Sequence, residues 1–126
     1  MNSVKELSPL SLASFTQIDY SREMALIAVT EGQDNETQLG VARYATNPDG
    51  ESCEFAIVVA DNMRSKGLGQ LLMLALMVVA RAKGLKVMEG KVLNNNANML
   101  NLMERLNFTV TTCPEDSNLK TVRIAL

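Results

Sequence analysis

The chain is 126 residues long, 47% hydrophobic and 21% charged, which suits one globular domain and excludes a disordered chain or a pair of domains. Twelve Lys and Arg against fourteen Asp and Glu give a net charge of −2, without the basic excess that binding to a phosphate backbone needs, so no nucleic acid partner is expected. The absence of histidine removes Ser-His-Asp and Cys-His machinery, and Cys53 and Cys113 lack zinc-site spacing, so no metal is expected either.

Residues 1–13 contain Pro9 and several serines without clear periodicity, and read as a lead-in or linker to a domain over 14–126. No basic n-region and compact apolar h-region stand there, and the longest apolar run, Leu71 to Ala80, is ten residues, too short to cross a bilayer. A cytoplasmic protein is expected. The polar cluster "DYSRE" from Asp19 precedes "MALIAVT", whose Ala28, Val29 and Thr30 favour a strand after a short helix, and "EGQDNET" reads as a turn.

"QLGVARYAT" and "CEFAIVVA" flank the turn-former "NPDGES" and predict an antiparallel pair. Gly67 to Lys83 predicts a helix closed by Gly84, apolar almost all round. Such a helix is either covered on all sides or in contact with another domain or a second copy. "LKVMEGKVL" predicts a strand, "ANMLNLMERL" a short amphipathic helix, and "FTVTTC" with "KTVRIAL" a terminal pair of strands. The order predicts an α/β (α+β) fold, a mixed sheet with helices packed on it.

The stretch "DNMRSKGLGQLLM" runs from an apolar strand through two glycines into a helix. A helix start offers unpaired N–H groups and a partial positive charge, which suits phosphate. The same glycine pair also occurs at helix starts for packing alone. A Walker A loop, GxxxxGK[ST], is absent, and a dinucleotide fingerprint fails because Leu72 stands where the third small residue belongs.

What fits is R-x-x-G-x-G, Arg64, Ser65, Lys66, Gly67, Leu68 and Gly69, directly after the strand. This resembles the coenzyme A loop of the GNAT N-acetyltransferases. "LNNNANMLNLMERLNF" is similar to the same family's later Asn-helix-Phe element, one strand downstream. "TQIDYSREMALIAV" and "EFAIVVAD" resemble more narrowly the C-terminal acetyltransferase domain of bacterial protein lysine acetyltransferases that modify acetyl-CoA synthetase. An acyl-CoA-synthetase-like region precedes that domain in those enzymes and is not present in this sequence.

The resemblance implies a GNAT fold: a mostly antiparallel sheet with helices on both faces, and acyl-CoA at a splay between two central strands. It implies acetyl-CoA as donor, with the backbone from Arg64 to Gln70 on its pyrophosphate and Ile57, Val58 and Val59 pairing with the pantetheine amides. A backbone N–H of that strand would polarise the thioester oxygen. Asn96 matches the Asn that contacts the coenzyme, though as one of three consecutive asparagines it is equally a helix cap.

A lysine of pKa about 10.4 is neutral only about once in 2,500 molecules at pH 7, so an acceptor amine benefits from a base. Glu54 shares a strand face with Ala56 and Val58, and a carboxylate in so apolar a strand is the candidate. Burial would tune it toward that work; a solvent-facing glutamate without a catalytic role is the other reading. The family's general-acid Tyr is replaced by Met103, and Cys113, Tyr20 and Tyr44 have no assignable part.

Gln17, Asp19, Tyr20, Arg22 and Glu23 lie where the family binds its acceptor, and their acidic members suit a cationic lysine. Asp19 serves equally as a helix cap. The implied acceptor is a protein lysine, on a target such as an acyl-CoA synthetase; the alternatives are a small amine, or a CoA-sensing module with weak catalysis.

Overall fold

Alternating apolar positions build most of the sheet. The computed structural model describes residues 13–30, 38–61 and 67–126. Strands β1 (Ala13–Asp19), β2 (Glu23–Thr30), β3 (Gln38–Thr46) and β4 (Ser52–Val59) form an antiparallel meander. Helix α1 (Leu68–Ala82) crosses to β5 (Val87–Leu93), which joins β4 in parallel. Helix α2 (Ala97–Arg105) then leads to β6 (Thr109–Thr112) and β7 (Leu119–Ala125), giving a seven-stranded sheet of order β1-β2-β3-β4-β5-β7-β6.

The turn from β3 to β4 forms as "NPDGES" predicts. The Asp49 carboxylate accepts from the backbone N–H of Glu51 and Ser52 at 2.8 and 2.9 Å, and Gly50 takes the left-handed φ of 72°. Those bonds favour the ionised carboxylate and hold the Asp49 pKa below its ordinary value.

Both helices lie on one face of the sheet. On β4, Cys53 and Phe55 are buried while Glu54, Ala56 and Val58 are exposed. Gly40, opposite Val59, lies under α1, where an added Cβ would stand 3.0 Å from Leu72 Cδ1 and 3.3 Å from Leu68 Cδ2. Leu102 of α2 packs against Gly69 of α1, and Phe55 meets Phe108 edge to face. Among the described residues the other face carries no helix. Strand β6 is parallel to β5, since both run antiparallel to β7. The two crossovers thus advance in one direction, and right-handed crossovers in one direction stack their helices on one side.

The helix expected around "DYSRE" is a tight turn instead. Tyr20 N–H donates to Glu23 C=O at 2.8 Å, and β1 pairs with β2 from Ala13↔Thr30 to Asp19↔Met24. Strand pairing with β2 overrides the local helix signal. It begins one residue before the expected boundary at 14, and the rest of the lead-in lies outside the described residues. Asp19 caps no helix: its carboxylate accepts from Lys83 Nζ at 2.6 Å, tying β1 to the end of α1.

Helix α1 ends where Gly84 adopts φ 87°, with Gly84 N–H donating to Arg81 C=O and Leu85 N–H to Ala80 C=O. Leu68, Leu72, Met73, Leu76 and Ala80 enter the core, while Leu71, Leu74 and Val78 stay exposed, so the helix is not covered on all sides by the described residues. Asn107, at φ 70°, closes α2 in the same left-handed way.

Candidate active site

The central feature is an early parting of β4 and β5. Their parallel ladder has three rungs, Ser52↔Val87, Cys53↔Met88 and Glu54↔Glu89, and pairing stops there. From Phe55 to Val59, β4 is paired with β3 on one side only among the described residues. Its backbone groups facing β5 are left for another partner, because a strand edge needs hydrogen bonds from somewhere. Ile57 and Val59 are half-buried toward the helices, and Val58 is 69% exposed on the open face.

The wide end of this cleft leads to the start of α1. Gly67 is its N-cap with φ 85°, no side chain caps the helix, and its first turn holds no acidic residue. The N–H groups of Leu68, Gly69 and Gln70 precede the first intrahelical bond, which Leu71 N–H makes to Gly67 C=O at 3.1 Å. The two glycines have different causes. Gly67 is required by its left-handed φ, with open space around it, whereas a Cβ on Gly69 would meet Leu102 Cδ2 at 3.3 Å and Val59 Cγ2 at 3.7 Å. Leu68 is fully buried, so only its backbone is available to a ligand, and Gln70 is exposed. Arg64, Ser65 and Lys66 lie outside the described residues.

Glu54 occupies the last rung before the strands part, on the open face, and it is solvent-facing, so burial does not tune its carboxylate. The sheet face carrying it has no helix over it among the described residues. Register places Glu23, Ala45, Glu54, Glu89, Arg123 and Thr109 in one row across this face. Sequence reasoning missed Glu89, although it breaks an apolar strand just as Glu54 does. Arg123 Nη1 donates to its Oε1 at 3.3 Å and Asn47 Nδ2 to its Oε2 at 3.4 Å. Asn47 is steadied by a 2.8 Å bond to Ser52 Oγ.

Of the polar cluster near the N-terminus, Glu23 belongs to this row, while Asp19 is held by Lys83 and Arg22 donates to Asn47 C=O at 3.0 Å. Gln17 and Tyr20 are exposed, on β1 and in its turn. Asn96 caps α2, its Oδ1 accepting from Met99 N–H at 3.1 Å.

Met103 is fully buried and Tyr44 is buried on β3, where desolvation raises its pKa. The Cys113 thiol donates to Glu115 Oε1 at 3.3 Å, beyond the end of β6. None of these side chains stands on the row with Glu54.

An Acetyltransferase (GNAT) family model matches residues 5–108. Acetyltransferase PA5475 of Pseudomonas aeruginosa is 32% identical over 126 residues, covering all of this chain and 68% of its own length. The chain belongs to the GNAT acetyltransferase family. As a GNAT member it is an N-acetyltransferase with acetyl-CoA as donor. The L-methionine sulfoximine/L-methionine sulfone acetyltransferase of P. aeruginosa is 41% identical over 58 residues, 46% of this chain and 34% of that protein. The GNAT domain of S. lividans PAT superposes with TM-score 0.75 at 20% identity, over 89% of this chain and 65% of that one. Campylobacter jejuni PseH in complex with acetyl coenzyme A gives TM-score 0.63 at 22% identity, over 84% of this chain and 70% of that one. The chain thus spans about two thirds of the length of PA5475 and of the PAT domain.

Proposed function

We propose that this GNAT chain transfers acetyl from acetyl-CoA to a lysine side chain of a protein, with Glu54 as base. The observation that carries the reading is the end of the β4–β5 ladder at Glu54↔Glu89, which brings a carboxylate to the point where, among the described residues, an unpaired strand edge begins. In this reading the edge from Ile57 to Val59 pairs with the pantetheine amides, and the start of α1 takes the pyrophosphate, with Arg64, Ser65 and Lys66 completing the turn. Asn96 keeps its amide Nδ2 for the coenzyme while its Oδ1 caps α2.

Glu54 then accepts the ammonium proton, directly or through a water, as the amine nitrogen bonds to the thioester carbonyl carbon. A strand N–H stabilises the developing oxyanion. The C–S bond breaks, the coenzyme leaves as thiolate with the electron pair, and the nitrogen's second proton passes to solvent water as the amide forms. With Met103 buried in the helix that offers the family's acid, the thiolate departs without a proton from that helix.

A protein acceptor is supported by the charge of the site: Glu23, Glu54 and Glu89 share a sheet face that no helix covers among the described residues, which suits a cationic side chain presented from another surface. A small-amine acceptor draws support from the stretch of 58 residues shared with the methionine sulfoximine enzyme. One assay separates the two. The chain is incubated with acetyl-CoA and either an acyl-CoA synthetase or methionine sulfone, and the products are mapped by mass spectrometry. Acetylation of one synthetase lysine, lost in Glu54→Gln, supports the proposal. Acetylation of the sulfone alone moves the acceptor to small amines, and acetyl-CoA binding without any product favours a sensing module.

A further inference from the structure

We infer that Phe55 limits the transferred group to acetyl, by closing the narrow end of the β4–β5 cleft against longer acyl chains. The inference rests on the reading that the donor's thioester lies in that cleft. Directly beyond the last rung, Glu54↔Glu89, the next residues are Phe55 on β4 and Gly90 on β5. A Cβ built on Gly90 would stand 2.6 Å from Phe55 Cε2, 2.8 Å from Cζ and 2.9 Å from Cδ2. The ring therefore lies against the bare backbone of Gly90 and spans the two strands at the level where they part. Only glycine on β5 leaves room for it.

The ring has little freedom to move aside. Phe55 is 6% exposed, and Phe108 packs on it edge to face with centroids 5.6 Å apart. Phe108 is itself anchored after α2, its N–H donating to Met103 C=O at 2.9 Å.

The direction of entry decides what meets this barrier. The phosphate end sits by the start of α1, next to Val59, and the arm runs down β4 toward Glu54. The four steps from Val59 to Phe55 span about 13 Å at ~3.3 Å per residue, so an extended arm that enters beside Val59 brings its acyl end to the level of Phe55. The acyl group is the leading end of that arm, so its terminal carbon points to Phe55 and Gly90. A single methyl stops short of the ring. Each further methylene must push into a filled region, which costs about 10- to 100-fold in rate.

The test measures kcat/KM for acetyl-, propionyl- and butyryl-CoA with one acceptor, in the unaltered chain, Phe55→Leu and Phe55→Ala. The unaltered chain should lose about tenfold or more with each added methylene. The butyryl-to-acetyl ratio should rise at least about tenfold in Phe55→Ala, and by less in Phe55→Leu. Because the ratio is internal to each protein, a partly unfolded variant does not distort it; should Phe55→Ala not fold, the leucine variant and the unaltered series carry the test. Equal use of butyryl- and acetyl-CoA by the unaltered chain, or an unchanged ratio in the folded variants, overturns the inference and leaves the donor reading intact. No binding of acetyl-CoA by the unaltered chain in calorimetry overturns both.

Discussion

Gly90→Ala is the sharpest probe of the packing at the cleft. The new Cβ would lie under 3.0 Å from three atoms of the Phe55 ring, a separation that real side chains do not tolerate. The ring cannot retreat without disturbing its edge-to-face contact with Phe108. Forcing one carbon into a packed region costs ~1–3 kcal/mol, while replacing glycine returns ~0.5–1 kcal/mol of backbone entropy. The net loss is ~1–2 kcal/mol. With an unfolding entropy of ~2.1 cal/mol/K per residue, a chain of 126 residues shifts by about 4 °C per kcal/mol. Thermal unfolding followed by circular dichroism should therefore show Tm lower by about 4–8 °C.

The control is the same change in a Phe55→Leu background, where the shorter side chain frees the space. There Gly90→Ala should cost little, giving a coupling of about 1 kcal/mol or more in the double-mutant cycle. An unchanged Tm for Gly90→Ala, or the same cost in both backgrounds, would show that the ring is not what excludes a side chain at position 90.

Three further outcomes are expected. Glu54→Gln should leave acetyl-CoA affinity within about twofold while lowering turnover near neutral pH by ~10²- to 10⁴-fold; full activity in this variant removes the base assignment. Gly67→Glu places a Cβ and a negative charge at φ 85° beside the proposed pyrophosphate site, so calorimetry should detect no acetyl-CoA binding, and retained affinity would count against that site. Burial pushes the Cys53 pKa up from 9.0 to about 12. Between those values the folded chain keeps a proton that the unfolded chain has lost. This stabilising difference is whole below pH 9 and is lost at up to ~1.4 kcal/mol per pH unit as pH rises toward the folded value. Urea unfolding from pH 8 to 10 should show that slope flattened in Cys53→Ala; equal slopes would show that the thiol does not titrate this way.

Elements whose periodicity is backed by turn chemistry were readable in advance. "NPDGES" between two alternating runs specifies the β3–β4 hairpin, and the helix from Gly67 to Gly84 is bracketed by glycines that adopt left-handed φ. Strand β1 was not readable, because "ASFTQID" carries a weak alternation and owes its form to pairing with β2. Glu54 stood out as a carboxylate in an apolar strand, but its exposure did not follow from sequence, because burial depends on which side the crossovers take. Glu89 and Arg123 reach the row with Glu54 only through register, a long-range property that no local window contains. The separate reasons for Gly67 and Gly69, one of backbone conformation and one of contact with Leu102, likewise needed the packed structure.

The short ladder between β4 and β5 has a mechanical side. Each half of the sheet is zipped along most of its strands, yet the halves share three rungs, with α1 as the covalent strap between them. The seam is where cooperativity is weakest, so amide hydrogen exchange should be faster from Phe55 to Val59 on its β5 side than in β3. A donor lying in the cleft would act as a rivet across that seam, slowing exchange on both strands and raising Tm with its concentration. Substrate capture and the rigidity of the domain would then be one event.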